Sequence, residues 1–522
     1  MSQPAIIILG AGIMQMPAFD AARKNNWYSI AADGNPHAPC ISRADEFLNI
    51  DLKDRVGLVE AAENLMQTRN IQGVFTCGTD FSASVAWIAE KLNLPGIPYQ
   101  SALDCTDKYR MRMKFQEHNI PIPAFCELSA DMDAHEVTKR LRYPLVVKPV
   151  DNMGGRGVIT VETPETLEKS AVEAIRFSRT GRAIVEEFMD GPEFSIDSLI
   201  YNDTVTITGF ADRLIYYPPC FIEMGHILPA KVDKETEEQI FKVFKEAVKA
   251  LGITLGAAKG DIKLTTRGVM IGEIAARLSG GYMSGWTYPY ASGIQLVEEG
   301  MRLAMGLEPG NLKETQQNCS SERAFISIPG KIMDILNLEE AHDLKNVKDI
   351  FLISDKGDQV RFPLNNVMKC GNVIAVAPLR GDAIKTSEEA VSIIRILLER
   401  GEPETLDFLS APLNSQFPPS AYKMEDWEEL VCLRDFKPDY SMKYKEGPVP
   451  VPQDGTGEVF LQQKDWNCLS LEKALEEILT ERNLRKTDDS SWTLFAKHFW
   501  YSFLRGGIQG ALWYIDQNDE AH

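Results

Sequence analysis

The segment that most constrains the fold of this chain runs from Asp261 to Arg277. It predicts two short β-strands, at residues 260–264 and 269–275, joined by a tight polar turn that ends in a glycine. Side chains on one face of a strand recur every second residue, so the charged residues of this segment gather on common faces. The chain is therefore expected to contain a hairpin with a charged side and an apolar side.

Two carboxylates and two cations fall on the charged side. Asp261 shares a face with Lys263, and Glu273 shares a face with Arg277. If the apolar residues pack inward, these four side chains converge on one exposed patch. Mg²⁺ that bridges nucleotide phosphates needs hard oxygen ligands, and the phosphates need fixed positive charge. The alternative is a hairpin whose charges are only solvated, because charged residues usually lie exposed.

A lysine and a glycine-rich loop lie upstream of the hairpin. Residues 143–149 have the pattern of a buried strand that contains Lys148, and three glycines follow at once: Gly154, Gly155 and Gly157. Glycine lets the backbone approach an anion closely, and free N–H groups can donate to phosphate oxygens. The pattern therefore predicts a phosphate-binding loop.

Residues 183–197 form a third segment, predicted as a strand, a turn at Gly191 and Pro192, and a second strand. Its carboxylates suit ribose hydroxyls, and its backbone suits an adenine edge. Together with the lysine, the glycine loop and the charged hairpin, this ordered set resembles the motifs of the ATP-grasp ligases. The resemblance extends from residue 1 to about residue 400.

The resemblance implies roles for the nucleotide-binding residues. Lys108 and Lys148 would hold the phosphates, and the loop from Gly154 to Gly157 would close over them as a lid. Other members of the set are implied to bind the nucleoside: Glu186 and the backbone from Glu187 to Met189 for adenine, and Glu193 for ribose. ATP is therefore the expected nucleotide.

The resemblance also implies the residues of the reaction itself. Asp261 and Glu273 would bind Mg²⁺ or Mn²⁺, and Arg277 and Lys263 would be catalytic, with Arg277 on the reacting phosphoryl group. Many family members carry asparagine two residues after the second metal glutamate, where this chain has Ala275. That change removes one side-chain ligand for a second metal ion.

The first 105 residues are predicted to form a doubly wound parallel-sheet domain, with strands at 5–9, 29–32 and 73–77. Gly10 and Gly12 suggest an NAD-binding turn, but the third glycine of that motif would fall on Gln15. NAD binding is therefore the weaker interpretation. The domain is expected to help bind the second substrate, and Thr79 with Asp80 is a candidate for that role. The alternative, which we favour, is that Thr79 or Asp80 caps a helix.

Three further regions are predicted: an ATP-grasp α+β domain at 106–310, a small α+β cap at 311–400, and an extension of unassigned role at 401–522. The cap includes a predicted helix at 388–399. In the extension, 437–457 is predicted as a linker because it is rich in Pro and Gly, and 492–514 as an interrupted helix with many aromatic residues.

Residues 212–230 contain two adjacent prolines and a glycine and are predicted as an irregular connection between a strand and the helix at 234–251. Within it, Glu223 and His226 resemble the acceptor-site segment of ligases that join amino acids. The alternative is that His226 is structural, as a lone histidine usually is.

Composition narrows the class of protein. With 75 acidic and 55 basic residues the net charge is −20, which argues against a nucleic acid or an anionic membrane as the main partner. Nine scattered cysteines without a C-x-x-C pair indicate reduced thiols. The chain begins without a signal-peptide pattern and has no continuous apolar window of ~20 residues. We expect a cytoplasmic protein, and a homodimer is one possible assembly.

The resemblance implies an ATP-dependent carboxylate–amine ligase, which forms an amide or peptide bond through an acylphosphate and releases ADP and phosphate. Its partners would be a small carboxylate and an amine. Two alternatives stay open: a carboxylase of the biotin carboxylase or carbamoyl phosphate synthase type, and a non-catalytic nucleotide-binding protein. Against the first, Arg277 is followed by Leu-Ser-Gly-Gly and not by the Gln-Val-Glu run of biotin carboxylases. The second would not need both metal carboxylates.

Overall fold

The computed structural model describes residues 3–424, 432–441, 458–481 and 494–518. The chain divides into two compact units. The first consists of Met1–Leu214, His226–Ser321 and Ala377–Arg380, and the second of Ile215–Gly225, Glu322–Val376 and Gly381–His522.

The first unit begins with a four-stranded parallel sheet in the order β3-β2-β1-β4. After their first residues the inner strands are fully buried and, except for Ser29, apolar, as expected for a parallel sheet covered on both faces. Its elements are β1 (Pro4–Leu9), α1 (Met16–Lys24), β2 (Tyr28–Ala32), β3 (Glu46–Leu48), α2 (Arg55–Met66), β4 (Asn70–Phe75), α3 (Ser82–Lys91), α4 (Tyr99–Thr106) and α5 (Lys108–Glu117).

The predicted doubly wound domain is thus confirmed, but its predicted helix cap is wrong. Helix α3 begins at Ser82, its N-cap position is Phe81, and no side chain caps it. Thr79 and Asp80 precede the cap position, because the turn after β4 is longer than the sequence pattern suggested.

Two further sheets follow in the first unit. One is antiparallel with the order β5-β8-β6-β7, and the other contains neighbouring strands in the order β13-β12-β9-β10. The elements are β5 (Phe125–Ser129), α6 (Ala134–Thr138), β6 (Leu145–Pro149), β7 (Ile159–Val161), α7 (Pro164–Phe177), β8 (Arg182–Glu187), β9 (Glu193–Tyr201), β10 (Thr204–Tyr216), β11 (Ile222–Leu228), α8 (Lys234–Ala250), β12 (Gly256–Thr265), β13 (Gly268–Ala275), a π-helical turn (Met283–Thr287), α9 (Tyr288–Ser292) and α10 (Leu296–Ala304).

The prediction of an irregular connection at 212–230 is wrong. Strand β10 continues to Tyr216, and β11 occupies most of the remainder. The adjacent prolines, Pro218 and Pro219, lie in the short turn between the two strands, where they interrupt no ladder. Most of β11 is buried, and burial of this kind outweighs the weak strand signal of its sequence.

The second unit is α+β, with neighbouring strands β14-β18-β16 and a three-stranded sheet in the order β17-β15-β19. Its elements are β14 (Cys319–Phe325), β15 (Gly330–Leu336), α11 (Leu338–Asp343), β16 (Val347–Leu352), β17 (Gln359–Val360), β18 (Gly371–Ala377), α12 (Arg380–Ile393), β19 (Arg395–Leu398), α13 (Pro403–Ser410), α14 (Glu458–Leu461), α15 (Leu471–Glu481) and α16 (Leu494–Asn518). The predicted cap and extension share one hydrophobic core, in which Phe325 and Phe408 occur together with Trp500.

Two predictions for this unit can be compared with the structure. The helix predicted at 388–399 is confirmed only as far as Ile393, where α12 ends. The remainder of the prediction is wrong, because the following apolar residues form β19, which pairs with β15. From Leu494 on, the interrupted helix predicted at 492–514 is confirmed as α16, in which Gly507 is non-helical with φ of 62°. Residues 492 and 493 lie outside the described residues. Most of the predicted linker, 442–457, lies outside the described residues. Among the described helices, none has the length and apolar character that crossing a bilayer requires.

Candidate active site

The two predicted metal carboxylates lie side by side. Asp261 on β12 and Glu273 on β13 are direct partners in the antiparallel register, which places their Cβ atoms about 4.5–5.5 Å apart on one face. The register shifts immediately after Asp261, because Gly272 adds one residue to β13. A Cβ at position 272 would lie 3.0 Å from the Asp261 carbonyl oxygen, so this bulge favours glycine.

Two cations hold the Asp261 carboxylate. It forms ion pairs with Lys259 and, at 3.0 Å, with the guanidinium of Arg213. Arg213 also binds the carboxylate of Glu193, the predicted ribose ligand. One guanidinium therefore connects the predicted metal site with the predicted nucleoside site.

Glu273 is the more accessible member of the acid pair. Its side chain is 37% exposed, and Lys108 Nζ lies 3.5 Å from its Oε1. Partial burial raises the pKa of Glu273, but the charges of Lys108, Lys259 and Lys148 outweigh this effect, and the pKa falls to about 2. Glu273 is therefore a carboxylate at neutral pH.

A buried ion triad lies next to this pair. Glu186 on β8 binds Lys148 Nζ at 2.6 Å and Arg112 Nε at 2.7 Å, and the side chains of Glu186 and Arg112 are 2% and 1% exposed. Burial lowers the pKa of Lys148, although Glu186 opposes the shift. Arg112 also donates to the carbonyl oxygen of Gly272 at 2.7 Å, so the triad is tied to the bulge beside the acid pair.

The sequence alone did not single out Arg112. The available signal was its spacing: it follows Lys108 by four residues on α5, so the two cations lie on one helix face. Both oxygens of Glu186 contact cations of the triad. The adenine role expected for Glu186 stays a prediction.

The next residue, Glu187, faces two arginines. Arg142 lies 3.2 Å and Arg267 3.1 Å from its Oε2, and hydrogen bonds from Arg142 lower the pKa of Glu187. The backbone N–H of Glu187 donates to Ala124, and that of Phe188 donates to Pro144. These bonds fix the strand end from which the predicted adenine contacts would come.

Lys263 lies at this strand end. Its ammonium group donates to the carbonyl oxygen of Met189 at 3.0 Å and lies 3.7 Å from a carboxylate oxygen of Glu193. The same nitrogen lies 5.2 Å from the centre of the Phe188 ring, within cation–π distance. The structure therefore places Lys263 among the nucleoside-binding candidates, and its catalytic role stays a prediction.

The glycine loop has a backbone conformation that favours glycine. Gly154, Gly155 and Gly157 have φ of 67°, 76° and 69°, in the left-handed region. A Cβ at position 157 would lie 2.9 Å from the Phe177 ring. Lys108 Nζ donates to the carbonyl oxygen of Asn152 at 2.7 Å, so one lysine connects the base of the loop with Glu273.

Arg277 follows the end of β13. One of its terminal nitrogens donates to the carbonyl oxygen of Leu278 at 3.1 Å, and its Nε has no hydrogen-bond partner within the part of the chain that the structure describes. Its charge is one of those that act on Glu273. Arg277 lies two residues past the end of β13, the strand that carries Glu273.

Glu223 and His226 both lie on β11. Their odd spacing places them on opposite faces of the strand. The backbone N–H of Glu223 donates to Asn366 at 2.8 Å, its carbonyl oxygen accepts from Lys369, and His226 is 1% exposed. Their predicted substrate role stays a prediction.

Residues 141–285 contain the lysine strand, the glycine loop, the segment from Glu187 to Met189 and the acid pair, and they match the family model of the ATP-grasp domain. The chain therefore contains an ATP-grasp domain. A second match, over residues 324–399, is to the L-amino acid ligase C-terminal domain 2. The family and the enzyme class predicted from the motifs, an ATP-grasp ligase, are thereby confirmed.

One protein sequence and two solved structures are examples of what the chain is similar to. D-alanine–D-alanine ligase from Desulforudis audaxviator is 31% identical over an alignment of 199 positions, which covers 35% of this chain and 63% of that protein. The structure of L-amino acid ligase from Bacillus licheniformis is similar, with a TM-score of 0.67 and 22% identity over 77% of this chain and all of that one. Phosphoribosylglycinamide synthetase from Anaerococcus prevotii gives a TM-score of 0.62 and 23% identity over 76% of this chain and all of that one.

Proposed function

We propose that this ATP-grasp protein is a carboxylate–amine ligase, which forms an amide or peptide bond through an acylphosphate and releases ADP and phosphate. The observation that carries the proposal is the acid pair, Asp261 and Glu273, with Lys108, Lys259 and Arg213 in contact with it. Paired carboxylates among fixed cations match a metal–triphosphate complex, which needs oxygen ligands and positive charge together.

The acid pair fits Mg²⁺ or Mn²⁺. Within the described residues there is no group of three or more His, Cys, Asp or Glu side chains that could hold a metal. Mg²⁺ usually binds through one or two carboxylates and completes its shell with water and substrate phosphates, so two carboxylates suffice. When bound, the ion would neutralise charge on the triphosphate. Ala275 adds no side-chain oxygen, so the pair favours one ion over two.

The residues of the chain would then perform the remaining tasks. Lys108 and Lys148 would bind the phosphates, and the glycine loop would exclude water. A carboxylate oxygen of the substrate attacks the γ-phosphorus, the bond to the bridging oxygen breaks, and ADP leaves. Arg277 would stabilise the charge on the transferred group. A neutral amine then attacks the acyl carbon, the bond from that carbon to the phosphate oxygen breaks, and the amine nitrogen loses one proton, so that an amide and inorganic phosphate form.

The C-terminal domain match supports amino acids as the first substrates to test. The carboxylase alternative has less support, because Leu278, Ser279 and two glycines replace the Gln-Val-Glu run. NAD binding has the least support. In the N-terminal turn the N–H of Ala11 donates to Asp33, and the N–H of Gly12 donates to Gln15, so neither is free for a pyrophosphate.

A substrate screen tests the proposal. Pools of amino acids and other carboxylic acids are incubated with ATP and Mg²⁺, and ADP is measured with and without a pool of amines. We expect one pair of pools to give amine-dependent ADP, and deconvolution to give one carboxylate and one amine. Bicarbonate is the parallel substrate. If bicarbonate alone releases ADP and every carboxylate–amine pair is silent, the carboxylase alternative replaces this proposal.

A further inference from the structure

A buried carboxylate on β9 lies outside the set of residues assigned so far. Asp197 is 0% exposed. Its Oδ1 accepts the backbone N–H of Ser279 at 3.0 Å, and its Oδ2 has no hydrogen-bond partner in the described part of the chain. Among the described residues, no cation lies within ion-pair distance of it.

Burial of such a group is unfavourable. A carboxylate removed from water loses its hydration, and a single hydrogen bond recovers only part of that free energy. Burial raises the pKa of Asp197 to about 6, while the Ser279 N–H and the charges of Lys259 and Arg277 act against the shift. The cost indicates that the carboxylate serves a purpose other than stability of β9.

The surroundings of Asp197 close it off from solvent. Its partner across the ladder to β10 is Gly209, and a Cβ there would lie 2.2 Å from the Tyr288 ring. The ring of Tyr288 therefore packs directly against the backbone, and its hydroxyl donates to the carbonyl oxygen of Ser195 at 3.2 Å. Across the ladder to β12 the partner is Lys259, which binds Asp261.

The hydrogen bond from Ser279 connects Asp197 with Arg277, two residues earlier in the chain. The guanidinium of Arg277 forms no ion pair within the described residues and donates only to its neighbour Leu278. Its position consequently depends on the backbone of residues 276–280. That backbone is held by Asp197, by a bond of 2.6 Å from Ser284 Oγ to the Ser279 carbonyl oxygen, and by a parallel bridge between Cys77 and Leu278.

We propose that Asp197 is a positioning residue: its carboxylate anchors the segment that carries Arg277 through the Ser279 N–H, and this anchor holds the guanidinium where it can reach the transferred phosphoryl group. The second half of this inference rests on the proposed function, because it requires Arg277 to act on that group. The anchor itself does not depend on which reaction the enzyme performs.

Two variants and one matched control test the proposal. Asp197→Asn keeps an oxygen that can accept from Ser279 and removes the charge, whereas Asp197→Ala removes both. Ser195→Ala is the control, since Ser195 lies on the same face of β9, is 0% exposed and has an Oγ without a hydrogen-bond partner in the described residues. Melting temperatures show which variants fold, and Asp197→Asn is the decisive variant if Asp197→Ala does not.

The first readout is hydrogen exchange of the Ser279 amide in the full-length protein. We expect exchange at least about tenfold faster in Asp197→Ala, and unchanged exchange in Ser195→Ala, because only the former loses the acceptor. The second readout is steady-state kinetics of ADP release. Asp197→Asn should lower kcat by about 10- to 100-fold and change the KM for ATP by less than about threefold, as expected for a misplaced catalytic group.

The outcomes separate the two proposals. Unchanged Ser279 exchange in Asp197→Ala, or faster exchange in Ser195→Ala to the same degree, overturns the anchor even if no carboxylate–amine pair gives ADP. If the wild-type enzyme makes ADP and Asp197→Asn retains its kcat, the positioning role is wrong while the ligase function stands. Equal losses in kcat and in affinity for ATP would mean that Asp197 only maintains the fold.

Discussion

Removal of the central charge of the buried triad should loosen the sheet that contains Lys148. Glu186→Gln leaves Lys148 and Arg112 without their shared anion at sites that are 12% and 1% exposed. Loss of one partner from a buried ion pair costs about 3–5 kcal/mol. At 1.36 kcal/mol per factor of ten, amide protection on β6 and β8 should fall by about 160- to 5000-fold.

The neighbouring glutamate provides a matched control. Glu187→Gln removes the same charge one position later, but the arginines that bind it, Arg142 and Arg267, are 77% and 38% exposed. Exposed ion pairs contribute about 0–1 kcal/mol, so protection should fall by no more than about fivefold. Hydrogen exchange followed by mass spectrometry measures both variants. Equal loss of amide protection in the two variants would show that the buried ion triad stabilises the sheet no more than the exposed ion pairs of Glu187 do.

The loss of stability in Glu186→Gln should depend on pH. Burial already holds the pKa of Lys148 below its usual value, and loss of Glu186 removes the charge that opposes this shift. A lysine whose pKa is lower in the folded state binds fewer protons there, so stability rises as pH rises toward the unfolded pKa. The difference in stability between Glu186→Gln and the wild type should therefore become smaller between pH 7 and pH 9. A constant or growing deficit would contradict this account.

Two further predictions concern the acid pair and the loop. Glu273→Gln should abolish measurable ADP formation and leave the melting temperature nearly unchanged, because the side chain is 37% exposed and serves the triphosphate more than the fold; turnover near the wild-type value would refute its metal role. Hydrogen exchange in residues 153–158 should slow when a non-hydrolysable ATP analogue and Mg²⁺ are added, since the left-handed glycines lose conformational freedom under a bound nucleotide. Equal exchange with and without the analogue would exclude a lid.

The sequence predicted the hairpin well because its signal is local. Alternation and the polar turn place both strands, and the structure extends each by only a few residues, to Gly256–Thr265 and Gly268–Ala275. The bulge at Gly272 was not predicted, since an extra residue leaves no mark in a period of two. It nevertheless decides that Asp261 opposes Glu273.

Other features depend on distant residues. The apolar residues after Ile393 are compatible with a helix or a strand. They form a strand because they pair with β15, which is distant in the sequence. The ion partners of Glu186 come from α5 and β6, so its buried state could not be read from its own segment. Asp197 lies within an apolar strand, where only the bond from Ser279 shows its connection to the site.

Transfer of oxygen from the substrate carboxylate to the released phosphate tests the acylphosphate mechanism most directly. The carboxylate found in the screen is labelled with ¹⁸O and incubated with the enzyme, ATP, Mg²⁺ and the amine, or hydroxylamine in its place. Attack of the carboxylate on the γ-phosphorus predicts one ¹⁸O atom in each phosphate released, and a hydroxamate when hydroxylamine is the acceptor. Mass spectrometry of the phosphate measures the label. Label that stays wholly in the organic product would contradict the acylphosphate mechanism.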